Sequence, residues 1–132
     1  MATNLDVITD AMRKANIINE RETPSAAQGE NGLTLLNDLL ADWEEDGIEL
    51  GFYPQTGLSD TIPIEDKFLR GVKYNLARSV AADYGADLPQ ETVRIADLTL
   101  DRLAKATTEV VSTDFNHMPM GSSTGWYNIE TD

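Results

Sequence analysis

Leu33, Leu36, Leu40 and Trp43 recur at intervals of three, four and three, with Leu39 beside them, and the stripe stops at Gly47. No other pattern in the chain restricts the fold as much. Side chains return to one side of a helix every 3.6 residues, so this spacing gathers large apolar groups on one face and requires something to cover them. Glycine just past a last turn takes the left-handed conformation that closes a helix, and Ile48 behind it covers the exposed end. Upstream, Thr23-Pro24-Ser25 followed by Gln28 supplies a first-turn proline and a Ser-x-x-Gln capping box, which is where the helix starts.

The same reasoning gives three more helices. Leu5, Ile8, Met12 and Ala15 predict one over residues 4–15, with Thr3 or Asn4 capping its free amides. A third begins near Glu65 and Asp66, acids that suit the positive end of a helix, and ends at Tyr84-Gly85; Phe68, Leu69, Val72, Leu76, Val80 and Tyr84 are its apolar side. The fourth begins around Asp87-Leu88-Pro89 and carries Val93, Ala96, Leu100, Leu103 and Val110. Gly29 and Gly32 lie inside the second helix and lack the lysine and hydroxyl of a phosphate loop, so their small size serves close packing. The expected fold is mainly α, a small bundle of roughly four helices around one core, since 132 residues leave room for one domain.

Between Ile48 and Ile64 the helical period disappears. The stretch IELGFYPQTGLSDTIPI mixes β-branched and aromatic residues with Gly51, Pro54, Gly57 and Pro63, which fits a loop with short extended pieces or a hairpin. At about 17 residues it is longer than most connections in a compact domain. Either it wanders over the surface or Leu50, Phe52, Tyr53 and Leu58 contact something outside the fold. After Ser112 the composition changes again, to STDFNHMPMGSSTGWYNIETD. This divides the chain into a helical body, 1–112, and an extended C-terminal arm, 113–132, whose Phe115, Trp126 and Tyr127 gain most by burial against a partner.

Twenty-three acidic residues against 10 basic ones give a net charge of −13, which opposes tight binding to a phosphate backbone and suits a surface that DNA passes without sticking. The acids are densest at Asp42, Glu44, Glu45, Asp46 and Glu49; positive charge gathers at Lys67, Arg70 and Lys73, extended by Arg78. Acids at a helix C-terminus oppose the dipole, so another interaction favours them: a solvated face, pairing with the basic line inside the subunit, or pairing between subunits.

Chemistry finds little to use. There is no cysteine, which excludes a disulfide framework, a thiolate nucleophile and a cysteine-ligated zinc. The one histidine, His117, has neither nucleophile nor orienting partner near it in sequence. Residues 44, 45 and 46 fan around a helix instead of converging on a metal. No catalytic residue, metal or cofactor is expected. Nor is a membrane span, since no stretch approaches roughly 18 apolar residues; the N-terminus lacks a signal-peptide pattern, so synthesis in the cytosol is expected.

Taken in order, VITDAMRKANII, ETPSAAQGENGLTLLNDLLADWEEDGIELGFY, FLRGVKYNLARSVAADYGADLP and MPMGSSTG resemble the head-to-tail adaptors, or tail accessory factors, of short-tailed bacteriophages. The most specific pieces are the leucine stripe running into Trp43-Glu44-x-Asp46-Gly47-Ile48 and the segment KYNLARSVAADYG. The resemblance implies a structural virion protein at the head-tail junction, in a ring of about twelve copies beneath the portal protein. It implies that the ring extends the channel for passing genomic DNA without specific binding and offers a platform to tail or nozzle protein. It further implies that Met118, Pro119, Met120, Gly121, Trp126 and Tyr127 lie along the portal or a neighbouring subunit. Rival readings are a virion-associated peptidoglycan hydrolase and an acidic cytosolic interaction module. The chain stops at Asp132, sooner after the glycine-serine segment than the longer family members do.

Overall fold

The computed structural model describes residues 2–115, with side chains through Thr107. Four helices follow one another: α1 (Asn4–Lys14), α2 (Ala26–Glu45), α3 (Asp66–Tyr84) and α4 (Gln90–Phe115). The mainly α bundle read from the sequence is the fold observed. Among the described residues the sole β pairing is an isolated antiparallel bridge between Thr3 and Thr61.

Local chemistry sets the helix ends. Ser25 Oγ accepts from the Gln28 N–H at 3.2 Å while Gln28 Oε1 accepts from the Ser25 N–H at 2.9 Å, the expected capping box. Pro24 stands one residue before this cap, outside the first turn where the sequence placed it. Thr3 and Asp6 form a second capping box on α1. At Gly47, φ is +91°, and the N–H groups of Gly47 and Ile48 return to the carbonyls of Glu44 and Trp43 at 3.1 and 2.8 Å. That double bond is the left-handed closure the stripe called for. Asn16, at φ +61°, closes α1 in the same way, and Gly85, at φ +68°, closes α3.

Helix α3 is the axis of the bundle, packing on α1, α2 and α4. Ala2 lies beside Asp66 and Leu69, and Lys14 beside Tyr74, so α1 runs parallel to α3. Gly71 faces Leu103, and Arg78 reaches Asp97, so α4 runs antiparallel to it. Ile8, Met12, Leu36, Ile62, Leu76 and Val80 are fully enclosed, each contributing about 1.5–3 kcal/mol relative to exposure. Gly32 lets α2 approach α1: a Cβ there would run into the Ile8 side chain.

Two further features differ from the sequence reading. Leu5 is 37% exposed and Asn4 is wholly buried, so the core face of α1 is rotated toward Asn4, Val7, Ile8, Ala11 and Met12. The reason lies in the second difference. The segment 48–64 makes no hairpin; it is strapped across the start of α1. The Asn4 and Leu5 N–H groups donate to the carbonyls of Asp60 and Leu58, both at 2.9 Å, and the Ile62 N–H donates to Ala2 O at 3.1 Å. The Asn4 side-chain amide donates to Gln55 Oε1 at 3.0 Å and to Gly57 O at 2.8 Å. Burial of a polar Asn is tolerated because the loop satisfies its donors.

Candidate assembly surfaces

The long loop turns most of its large apolar side chains inward. Ile48, Ile62 and Ile64 are buried, and of the four contact candidates Leu50, Phe52 and Leu58 are half-buried against the core. Tyr53 is the exception, 62% exposed. The strap holds this tyrosine out on a fixed backbone, since its carbonyl accepts a 2.7 Å bond from the buried Gln55 side chain.

Phe52, the residue before Tyr53, packs at the acidic exit of α2. Asp42, Glu44, Glu45, Asp46 and Glu49 are all exposed, around the buried Trp43. Glu44, Glu49, Leu50 and Phe52 line one shallow depression, which places the loop residue next to Tyr53 against the acids. Among the described residues no ion pair reaches any of the five.

The basic line on α3 is spent differently. Lys73 pairs with Asp10 of α1 at 2.8 Å, and Lys67 with the neighbouring Glu65 at 3.3 Å. Arg78 bridges to Asp97 on α4 at 2.7 Å and donates to Asn75 Oδ1. Arg70 has no carboxylate partner among the described residues; it lies 5.4 Å from the centre of the Tyr74 ring, which Lys14 approaches at 4.9 Å. The acidic run and the basic line, adjacent in the sequence reading as one possible internal pair, are not brought together within the chain.

One element was missed from sequence. Between α3 and α4 lies a cleft of about 230 Å³, lined by Phe68, Gly71, Thr99 and Leu103, with Ala106 at its exposed edge and Lys67, Arg70 and Arg102 as its rim. Gly71 lets α4 approach α3 closely at the cleft: a Cβ there would come within 2.7 Å of Leu103. Arg102, on α4, carries no ion pair among the described residues, so two of the three rim cations have no carboxylate partner there. The period of α4 marked Leu103 as core and thus Arg102 as its flank, but which helix it would face was not in that period.

The Asp6 carboxyl is held below its ordinary value by hydrogen bonds from the Thr3 backbone and hydroxyl, with Lys73 adding a weaker pull. Glu91 is lowered by its hydrogen bond with Arg94, whose own value is raised. Both shifts belong to local helix-capping and surface pairs. Among the described residues no three His, Cys, Asp or Glu side chains are grouped as a metal requires, and no helix is long and apolar enough to cross a membrane. Phe115 is the last residue of α4; His117, Met118, Pro119, Met120, Gly121, Trp126 and Tyr127 lie outside the described residues.

Compared with known proteins, the chain matches the model of the P22 tail accessory factor family over residues 1–132. No curated protein matches it. The chain therefore belongs to the P22 tail accessory factor family, structural tail-related components of a bacteriophage particle.

Proposed function

We propose that this member of the P22 tail accessory factor family is the head-to-tail adaptor of its virion. Copies of the chain form a ring beneath the portal protein, about twelve to match it. The ring lengthens the DNA channel and gives tail or nozzle protein a platform at the head-tail junction. The observation that carries this reading is the division of charge on the helical body: among the described residues, no ion pair neutralises the acids at the α2 exit or Arg70 and Arg102 at the α3–α4 cleft. Complementary surfaces left open on one chain suit repeated contact between copies.

The acidic excess supports passage of DNA without capture, because like charge repels the duplex over roughly a Debye length. The arm, residues 113–132 in the compositional reading, docks along the portal or a neighbour and couples assembly to arrival there, with ordering on binding keeping free subunits apart. Phe115, Met118, Met120, Trp126 and Tyr127 are its anchors.

Portal binding by the full chain and by a chain ending at Ser112 tests the arm. Since α4 packs on α3 through residues up to Leu103 and Ala104, the shortened chain keeps its fold. We expect its affinity for isolated portal to fall at least roughly tenfold, a difference of about 1.4 kcal/mol; equal affinity would remove the arm from the account. Lysis of purified peptidoglycan, abolished by changing one carboxylate, would replace the adaptor with an enzyme. Competition with duplex DNA for a DNA-binding enzyme would replace it with an interaction module.

A further inference from the structure

We infer that the cleft between α3 and α4 is a socket for Tyr53 of a neighbouring copy of the chain, with the acidic α2 exit of that copy seated on the cationic rim. This contact rests on the ring reading and says which surfaces meet in it.

The two halves match in size, polarity and charge. At about 230 Å³ the cleft is smaller than the roughly 300–1,000 Å³ of small-molecule sites, and it suits one inserted side chain. Its lining is mainly apolar: Phe68, Gly71, Leu103 and, at the exposed edge, Ala106, with the Thr99 hydroxyl already bonded to the Ile95 and Ala96 carbonyls. Tyr53, at 62% exposure, is the most exposed of the large hydrophobic side chains described, and it sits on a backbone fixed by Gln55. A rigid aromatic with a polar tip loses little conformational freedom on insertion, which is why tyrosine is favoured as an anchor.

Charge selects the occupant. The rim is cationic, and Arg70 and Arg102 have no carboxylate among the described residues. Glu44 and Glu49 share a depression with Phe52, the residue before Tyr53, and Glu45 and Asp46 follow Glu44 in the chain; all four acids are exposed and without ion pairs among the described residues. Guanidinium groups meet carboxylates in paired hydrogen bonds, so arginine is the residue expected where such a contact must be oriented. Knob and socket are different surfaces of one chain, so the contact is heterologous: each copy uses its knob on one neighbour and its socket on the other. Such contacts close into a ring when the rotation allows.

The chain has no cysteine, so single cysteines report the contact cleanly. Full-length chains carrying Pro54→Cys, beside an intact Tyr53, and Ala106→Cys are mixed with isolated portal and oxidised; both positions are exposed, so neither change opens the core. The mixed disulfide should form roughly tenfold faster than that of Pro54→Cys with Ala27→Cys, an exposed control at the far end of α2, because docking raises the effective concentration of the two thiols. Reversing the rim with Arg70→Glu and Arg102→Glu should remove the advantage, and Glu44→Arg with Glu45→Arg in the Pro54→Cys chain should restore it. Equal rates for the two pairs overturn the contact, and so does retention of duplex DNA by the wild-type chain that is lost with the rim arginines. Microscopy of portal mixed with a chain carrying both Pro54→Cys and Ala106→Cys separates the two claims: a ring whose subunits do not cross-link keeps the adaptor and discards this contact, whereas cross-linked chains with no ring do the reverse.

Discussion

Asn37 on α2 and Gln55 in the long loop are joined by two hydrogen bonds, the Asn37 amide donating to the Gln55 carbonyl and the Gln55 N–H donating to Asn37 Oδ1, each at 2.9 Å. A side-chain amide thus takes the place of a neighbouring strand. Gln55 in turn holds Asn4 with its side chain, so one loop residue links α2, the loop and the start of α1. This is how a segment with no regular structure comes to present Tyr53 in one position.

Asn37→Ala should therefore loosen the loop more than the body. Two backbone groups of a buried residue lose their partners, and we expect about 1–3 kcal/mol lost in urea unfolding. Limited proteolysis should then cut first within residues 48–64. Cleavage no faster than in the wild type would mean the clamp does not hold the loop.

Asn75 ties α3 to α4. Its buried amide donates to Gly71 O at 2.8 Å and Ala96 O at 3.1 Å, and its oxygen accepts from Arg78 at 2.7 Å. Asn75→Ala should lower stability by about 2 kcal/mol, the sum of two or so net hydrogen bonds. Asn75→Asp should be worse, because a carboxylate would face two carbonyl oxygens it cannot bond. Thermal melting of both variants gives the order, and Asp above Ala would reverse the argument.

Gly32→Ala tests the α1–α2 approach. Alanine favours a helix over glycine by about 1 kcal/mol, but the added Cβ collides with Ile8, and overpacking costs about 1–3 kcal/mol. We expect a net loss of roughly 1 kcal/mol in urea unfolding. A stabilised variant would show that the helices can separate freely.

What was legible in the sequence was what is settled within one turn. The capping box at Ser25 and Gln28, the closure at Gly47 and Ile48, and the span of α3 depend on residues three or four apart. Asn4 was hidden because its partner Gln55 is 51 positions away, and the period alone preferred Leu5 for the core. A clue existed for Asn75: it falls between Val72 and Leu76 on the apolar side of α3, where a poor helix former implies a buried partner. The cleft was not legible, since each helix shows its own apolar face but not the register in which Gly71 meets Leu103.

Asp6 gives a pH dependence with a definite sign. Its carboxyl is lowered in the folded chain by the Thr3 hydrogen bonds, so its contribution is present above the unfolded value and is lost as pH falls through the folded one. Stability should decline below about pH 4, the ordinary aspartate range, and Asp6→Asn should make that decline shallower. An unchanged acid limb would mean the capping box contributes nothing through charge.

The adaptor itself is tested most directly by electron microscopy of the full chain mixed with its isolated portal. The account predicts a ring of added density on the tail-facing end of the portal, with the portal's rotational symmetry. Portal particles without added density, with the chain left unbound in solution, would contradict it.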